Sequence, residues 1–144
     1  NGVEQDYVKA AELLEKAANQ GDADSLLLLG YKYSKGEGVR LDLVKAAKLY
    51  ETAADKGSLL AHYYIANAYE EGEGVLIDVI KAIEIYRSAA QKGEMHSQYK
   101  LGRCYEYGTN VPQNLKTALD YYELASSQGH ERSKDKIAHL RTIH

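Results

Sequence analysis

The sequence repeats itself every 36 residues, and this period constrains the fold more than any other feature. Glycine, alanine and tyrosine each recur at fixed positions in the period. The clearest columns are Gly21, Gly57, Gly93 and Gly129; Ala10, Ala46, Ala82 and Ala118; Ala17, Ala53, Ala89 and Ala125; and Tyr33, Tyr69 and Tyr105. Several columns in one register indicate a repeat architecture, in which each unit packs against its neighbours.

Each 36-residue unit has the pattern of two helices. Gly21 and its equivalents follow runs such as KAAELLEKAANQ, where a helix end requires a left-handed residue. Acceptor side chains precede such runs and are predicted N-caps: Asp6, Asp42, Asp78 and Asn114. We predict first helices near 22–34, 58–70, 94–106 and 130–142, and second helices near 7–20, 43–56, 79–92 and 115–128.

Short connections make neighbouring helices antiparallel, and stacked helix pairs form a superhelix with a concave and a convex side. The predicted fold class is therefore all-α, an α/α solenoid of 36-residue antiparallel helix pairs. We predict a single repeat domain over residues 1–144. Its units are a partial repeat at 1–21, full repeats at 22–57, 58–93 and 94–129, and a partial repeat at 130–144.

Composition and charge argue against several classes of partner. The net charge of −3, without any run of Lys or Arg, does not predict nucleic-acid binding. The longest apolar run, Leu26 to Leu29, is far shorter than the roughly 20 residues that cross a bilayer, so direct membrane insertion is not predicted. Cys104 is the only cysteine, which excludes an intrachain disulfide.

The recurring pattern is A-x-x-x-[LI]-[GA]-x-x-Y-x-x-G-x-G-V, followed by D-x-x-x-A-x-x-x-Y-x-x-A-A-x-x-G. Residues 30–39 and 65–75 show its first half, and residues 42–57 show its second half. The pattern resembles Sel1-like repeats, which are relatives of tetratricopeptide repeats with a slightly longer loop. The resemblance covers essentially the whole chain. Asn110 replaces the glycine found at Gly74, and asparagine tolerates left-handed geometry.

The resemblance implies a non-catalytic scaffold or adaptor that binds a partner protein or peptide. In related helix-pair repeats the first helices line the concave face, which implies a partner-binding surface there. The candidate residues are Tyr31, Asn67, Arg103 and His139, together with Tyr63, Tyr99, Glu70 and Glu106. Aromatic residues and arginine flanked by polar groups are typical of binding hot spots. Tyr63 and Tyr99 have a second interpretation as packing residues, because the family often has an aromatic residue there.

No cofactor or metal site is predicted. The Gly-Glu-Gly loops at 36–38 and 72–74 follow predicted helices and lack the lysine or serine of a phosphate-binding loop, so we interpret them as turns. His62, His96 and His130 recur near the repeat period but fall in different columns. His139 and His144 are five residues apart, which is a poor match for one helical face.

An enzymatic function is the least favoured of three hypotheses. Glu70 and Glu106 occupy equivalent positions in adjacent first helices, whose axes would lie about 8–10 Å apart. Inverting glycosidases hold two carboxylates roughly 6.5–9.5 Å apart. Any repeat with a surface glutamate generates this spacing, however, and nothing in the sequence suggests the burial that would turn one carboxylate into an acid. We therefore predict that the chain is not an enzyme.

The two ends of the sequence are not obviously capped by polar residues, although solenoid termini normally are. Apolar side chains occur near both ends: Tyr7, Leu13, Leu14, Ile137 and Leu140. One explanation, which we favour, is a fragment of a longer solenoid. The other is packing against a second chain, and it gives the alternative function of an assembly module that forms homo-oligomers through its terminal helices.

Overall fold

A computed structural model describes residues 1–143, and within this range the chain is helical without any β-strand. The all-α prediction is confirmed. His144, which belongs to the predicted partial repeat and to the His139–His144 pair, lies outside the described residues. The described helices are α1 (Gly2–Asn19), α2 (Ala23–Lys35), α3 (Leu43–Asp55), α4 (Leu59–Glu71), α5 (Val79–Gln91), α6 (Met95–Tyr107), α7 (Leu115–Ser127) and α8 (Glu131–Thr142).

The predicted bounds of α2 to α8 agree with the structure to within one residue, but α1 starts earlier than expected. It begins at Gly2 and not near residue 7, because the Asn1 side chain accepts a hydrogen bond from the Glu4 backbone N–H at 3.0 Å. Asp6 therefore lies inside α1, and its prediction as an N-cap is wrong.

Asp42 and Asn114 do cap second helices, and a hydrogen bond to the preceding helix explains the difference. Each side chain accepts the backbone N–H three residues further on, at 3.0 and 3.1 Å. The Asp42 N–H donates to the Tyr33 carbonyl and the Asn114 N–H to the Tyr105 carbonyl, which holds both cap residues extended. The backbone at Asp6 is helical and not extended, so its side chain is not in an N-cap position.

The caps of the first helices were not predicted. They are Asp22, Ser58, Glu94 and His130, and each side chain accepts a backbone N–H three residues further on. These four residues share only the ability to accept a hydrogen bond. Because the column has no common residue type, the repeat alignment did not reveal it.

The glycines of the repeat adopt the predicted backbone conformation. Gly21, Gly57, Gly93 and Gly129 have φ between 84° and 102° and follow the second helices. Asn110 takes a left-handed φ of 63° at the position of Gly74, as its side chain allows. The Gly-Glu-Gly segments also have left-handed glycines, which supports their interpretation as turns.

The structure divides into two compact units, and the first is Asn1–Asp78. In it, α2 packs against α1 and α3, and α3 also packs against α4. Small alanines such as Ala46, Ala53 and Ala61 are almost completely buried and let these helices approach closely. Larger core side chains fill the remaining space: Leu26, Leu29, Tyr50 and Ile65.

The second unit is Val79–His144, described here to Ile143. In it, α6 packs against α5 and α7, and α7 packs against α8. Tyr86, Leu101 and Tyr122 are fully buried. Leu140, which we had interpreted as an uncapped apolar residue, is buried in a cluster with Ala118 and Tyr122 and is therefore part of the core.

The buried tyrosines pack directly on helical glycines. A Cβ atom at Gly30 would lie 2.8 Å from Cε1 of Tyr50, and one at Gly102 would lie 2.5 Å from Cε1 of Tyr122. Both distances are shorter than any contact between non-bonded carbon atoms. The two glycines are therefore needed, because the tyrosine rings occupy the space that a larger residue would fill. In these two repeats the tyrosine and the glycine thus form one contact, and the repeat between them has Ala66 in the glycine column.

Substitution of Gly102 tests this contact. Alanine is favoured over glycine in a helix by about 1 kcal/mol, but overpacking a core costs about 1–3 kcal/mol. Because Tyr122 is fully buried and has no room to move, we expect Gly102→Ala to lower the free energy of unfolding in urea by about 1–2 kcal/mol. Gly2→Ala is the control, since no atom lies within 4 Å of its Cβ position. A Gly102→Ala protein as stable as wild type would contradict this packing.

Candidate partner-binding site

The first unit contains a cavity of about 300 Å³ between α2, α3 and α4, which we call the tyrosine cavity. Two of the predicted binding residues, Tyr31 and Asn67, line it. The complete lining is Tyr31, Ser34, Lys35, Leu43, Ala46, Ala47, Tyr50, Tyr64, Asn67, Ala68, Glu71 and Glu73. The structure thus brings one predicted pair together and adds residues that sequence reasoning had not selected.

Helical spacing explains why these side chains converge. Tyr31, Ser34 and Lys35 are three and four residues apart on α2, so they share one face. Tyr64, Asn67 and Glu71 follow one another on α4 at intervals of three and four residues, so they also share one face. Small alanines of α3 and α4 leave the space between these two faces open: Ala46, Ala47 and Ala68.

The floor of the cavity is the buried ring of Tyr50. Its hydroxyl donates a hydrogen bond to Ser34 Oγ at 3.3 Å, and its ring stacks on Tyr64 with centroids 5.1 Å apart. Burial raises the pKa of Tyr50 to about 12, against the smaller opposing effect of the Ser34 hydrogen bond. The phenol is therefore neutral at physiological pH, and the floor is aromatic with one polar edge.

The walls and rim are aromatic and charged. Tyr31 contacts Tyr64 edge-on at 6.2 Å, and the Lys35 ammonium lies 5.6 Å from the centre of the Tyr31 ring. Lys35, Glu71 and Glu73 are exposed at the rim. The cavity therefore offers aromatic surfaces beside two carboxylates and one ammonium.

Tyr63 and Tyr99, for which two interpretations were open, both make ring contacts. Tyr63 contacts Tyr64 edge-on at 5.5 Å and does not line the cavity itself. Tyr99 is half-buried, with its ring 5.7 Å from Tyr122 and 4.5 Å from His130. These contacts favour the interpretation of both residues as packing residues.

The remaining predicted residues differ in exposure. Arg103 and His139 are exposed on α6 and α8, whereas Glu70 on α4 is half-buried. Glu106 is only 5% exposed. Its carboxylate accepts a hydrogen bond from the Tyr122 hydroxyl at 2.6 Å and lies 3.3 Å from Lys136 Nζ. The structure therefore buries Glu106 in a contact with Tyr122 and Lys136, and its role in binding stays a prediction.

The network around Glu106 affects the protonation of its neighbours. Burial, followed by the hydrogen bond to Glu106 and its charge, raises the pKa of Tyr122 far above its usual value. Burial tends to lower the pKa of Lys136, but its hydrogen bonds to Tyr107 and Glu106 raise it overall. Lys136 is therefore held as a cation against the Glu106 carboxylate.

One column of the repeat places a side chain next to the buried tyrosines, and sequence reasoning missed it. Tyr64 stacks on Tyr50, and Lys100 Nζ lies 5.9 Å from the centre of the Tyr86 ring. Lys136 binds the carboxylate that accepts a hydrogen bond from the Tyr122 hydroxyl. The column is Leu28, Tyr64, Lys100 and Lys136. Its variation, beside a tyrosine column that is nearly constant, is the signal that could have revealed it.

The described part of the chain contains no group of three or more His, Cys, Asp or Glu side chains placed to hold a metal ion. Cys104 is buried and is not part of a disulfide. Within residues 1–143, no helix combines the length and apolar character that a membrane span requires.

His130 has a structural role that the sequence did not indicate. Its Nδ1 accepts a hydrogen bond from the Ser133 backbone N–H at 3.2 Å and so caps α8. Its ring also lies edge-on to His96, with centroids 5.9 Å apart. Burial, with a smaller contribution from the charge of His96, lowers the pKa of His130. The cap depends on the neutral form, because a protonated Nδ1 cannot accept.

Comparisons with known proteins give a consistent result. The family model described as Sel1 repeat matches residues 1–22, 23–58, 59–94 and 96–130. A Sel1 repeat protein from Oxalobacter formigenes superposes with a TM-score of 0.83 and 25% identity, covering 94% of this chain and 61% of that protein. No curated protein matches the chain.

Two further solved structures have the same fold. One is c5321, a protective antigen of uropathogenic Escherichia coli with an SLR fold, at TM-score 0.79 and 33% identity over 93% of this chain and 29% of that protein. The other is Helicobacter pylori cysteine rich protein B, at TM-score 0.69 and 23% identity over 92% and 96% of the two chains. The chain thus spans less than two thirds of the Oxalobacter and Escherichia proteins.

Removal of the Glu106 carboxylate tests its structural role. In a Glu106→Ala variant, the Tyr122 hydroxyl and the Lys136 ammonium lose a partner in a largely buried site. We expect the free energy of unfolding to fall by roughly 2–4 kcal/mol in denaturant titrations. The control is Glu123→Ala, whose pair with Arg141 is exposed and should contribute less than about 1 kcal/mol. Equal, small losses in both variants would show that the Glu106 network does not stabilise the unit.

The His130 cap predicts a pH dependence of stability. Its folded-state pKa lies below the unfolded value of 6.5, so the unfolded chain takes up the proton more readily. The stabilisation is present above the unfolded pKa and is lost as the pH falls through the folded pKa. Melting curves between about pH 7.5 and about pH 5 should show a larger loss for wild type than for His130→Asn, which keeps a cap acceptor without titrating. Identical pH profiles would argue against this role.

Proposed function

The chain belongs to the Sel1 repeat family, and on that premise we propose that it is a scaffold that binds a segment of a partner protein on the face of its first helices. Sel1 repeats typically mediate protein–protein interactions, and the fold generally acts as a non-catalytic scaffold. The fold is the α/α solenoid of that family. The binding face, the partner and its chemistry are our proposal.

The observation that carries the proposal is the tyrosine cavity. It opens between the first helices α2 and α4, and it contains Tyr31 and Asn67 of the predicted binding column. Aromatic walls bury apolar surface of a ligand, while the few polar groups at the floor and rim fix its orientation. A side chain of a bound segment can use both kinds of contact.

In the second unit, Arg103 and His139 occupy the same repeat column as Tyr31 and Asn67 and are exposed on first helices. An exposed arginine supplies five N–H donors, which suit the carbonyl and carboxylate groups of a peptide. We leave Glu106 out of the proposed surface, because Tyr122 and Lys136 already bind its carboxylate.

The chemistry of the cavity also favours binding over catalysis. With its pKa raised to about 12, Tyr50 stays protonated at neutral pH and is a poor general base or nucleophile. Its role in the proposal is to provide a rigid aromatic floor and one hydroxyl group.

Two substitutions test the proposal. Peptides selected from a displayed library with the wild-type chain as bait provide the ligands. We expect Tyr31→Ala and Arg103→Ala each to weaken binding of such peptides by roughly 5- to 30-fold in calorimetric titrations, as losses of about 1–2 kcal/mol predict. Circular dichroism should show unchanged helicity and melting, because both side chains are exposed.

Lys48→Ala, exposed on α3, is the control and should bind normally. Sedimentation over a concentration range accompanies the titrations, since a pure scaffold remains monomeric and the alternative homo-oligomer does not. Normal binding by both Tyr31→Ala and Arg103→Ala would show that the proposed face is wrong.

A further inference from the structure

We infer that the tyrosine cavity binds the side chain of an arginine on the partner segment. The inference rests on the proposed scaffold function and specifies the chemistry that one of its sites recognises. Three observations support it: cations that the chain itself places beside equivalent tyrosines, the charge at the cavity rim, and the lysine already seated on Tyr31.

The repeat places its own cations beside one buried tyrosine and beside the carboxylate that is hydrogen-bonded to another. Lys100 lies over the Tyr86 ring at 5.9 Å, and Lys136 pairs with the carboxylate that accepts the Tyr122 hydroxyl. At the equivalent position next to Tyr50 the chain has Tyr64. Here the repeat supplies an aromatic ring in place of an ammonium, and this is where the cavity opens.

The acceptor side of the site also changes between the units. In the second unit Glu106 accepts a hydrogen bond from the Tyr122 hydroxyl. In the first unit Ser34 accepts one from the Tyr50 hydroxyl. Serine is shorter and uncharged, so the negative charge of the cavity comes from its rim. Glu71 and Glu73 contribute two carboxylates against the single ammonium of Lys35, which gives the lining a net charge of −1.

The contact between Lys35 and Tyr31 shows that a cation can occupy the aromatic wall. Lys35 Nζ lies 5.6 Å from the ring centre, within the range of a cation–π interaction. Lys35 is exposed and therefore able to leave the ring for solvent. A cation brought by a partner competes with it for this face and gains the Glu71 and Glu73 carboxylates as well.

Arginine fits these groups better than lysine does. The guanidinium is planar, so it stacks on aromatic rings such as Tyr31 and Tyr64 and binds carboxylates through two parallel N–H groups. The Tyr50 hydroxyl donates a hydrogen bond to Ser34, and the lone pairs of its oxygen can accept a hydrogen bond from a further N–H group. An ammonium is more strongly hydrated and cannot stack in this way.

The test compares three tripeptides with uncharged termini: acetyl-Gly-Arg-Gly-amide, its citrulline counterpart, which has the same shape without the charge, and its lysine counterpart. Amide chemical shifts of the ¹⁵N-labelled chain report the site and the affinity. We expect arginine to shift the amides of Tyr31, Tyr64, Glu71 and Glu73 and to bind roughly tenfold more tightly than citrulline. The lysine tripeptide should bind several-fold more weakly than the arginine one.

Variants of opposite sign separate the charge effect from damage to the fold. Glu71→Gln combined with Glu73→Gln should reduce arginine affinity towards that of citrulline, whereas Lys35→Ala should raise it by about threefold, because a competing cation is removed. Glu51→Gln, exposed on α3, is the matched control and should change nothing.

The outcomes distinguish this inference from the scaffold proposal. Equal affinity for arginine and citrulline, together with library peptides that shift the same amides without containing arginine, would overturn the inference and leave the scaffold function intact. If no tripeptide and no library peptide shifts amides of α2 or α4, both are overturned.

Discussion

The fold depends on tyrosine rings that are buried between helices carrying almost no side chain at the point of contact. Tyr50 and Tyr122 each occupy the space that a Cβ at Gly30 or Gly102 would need. In both places a large ring on one helix faces a glycine on another, and the repeat between them has alanine, the next smallest residue, in the glycine column. This complementarity, together with the buried alanines, allows helices that are mostly 13 residues long to form stable units.

The sequence predicted those features for which the repeats use the same or a similar residue type at the same position. Left-handed glycines, the capping residue Asp42 and the helix bounds all belong to this class. The predictions were wrong or incomplete where the structure around a residue depends on its neighbours in space. Asp6 lies within α1, whose cap is Asn1, although its column in the repeat predicts a cap. Burial of Glu106 depends on Tyr122 and Lys136, which are 16 and 30 residues away in sequence and could not be paired without coordinates.

The candidate site shows the same division. The resemblance to a repeat family predicted a binding face with Tyr31 and Asn67, and the structure was needed to show that Tyr50 and Tyr64 complete a cavity beside them. The buried tyrosine is the same in both units, but the side chains around it differ. Glu106 and Lys136 form an ion pair in the second unit, whereas Ser34 and Tyr64 line a cavity in the first.

The unlike residues that begin the first helices have a consequence for cooperativity. Asp22 has a pKa lowered by its hydrogen bonds to Ser25, His130 has a pKa lowered by burial, and Ser58 does not titrate. Acidification therefore weakens individual repeats at different points on the pH scale. In a repeat protein each helix pair is stabilised by its neighbours. Fraying that starts at α8 therefore spreads only as far as the coupling between adjacent helix pairs allows. A backbone that is periodic in shape is thus aperiodic in its response to acid.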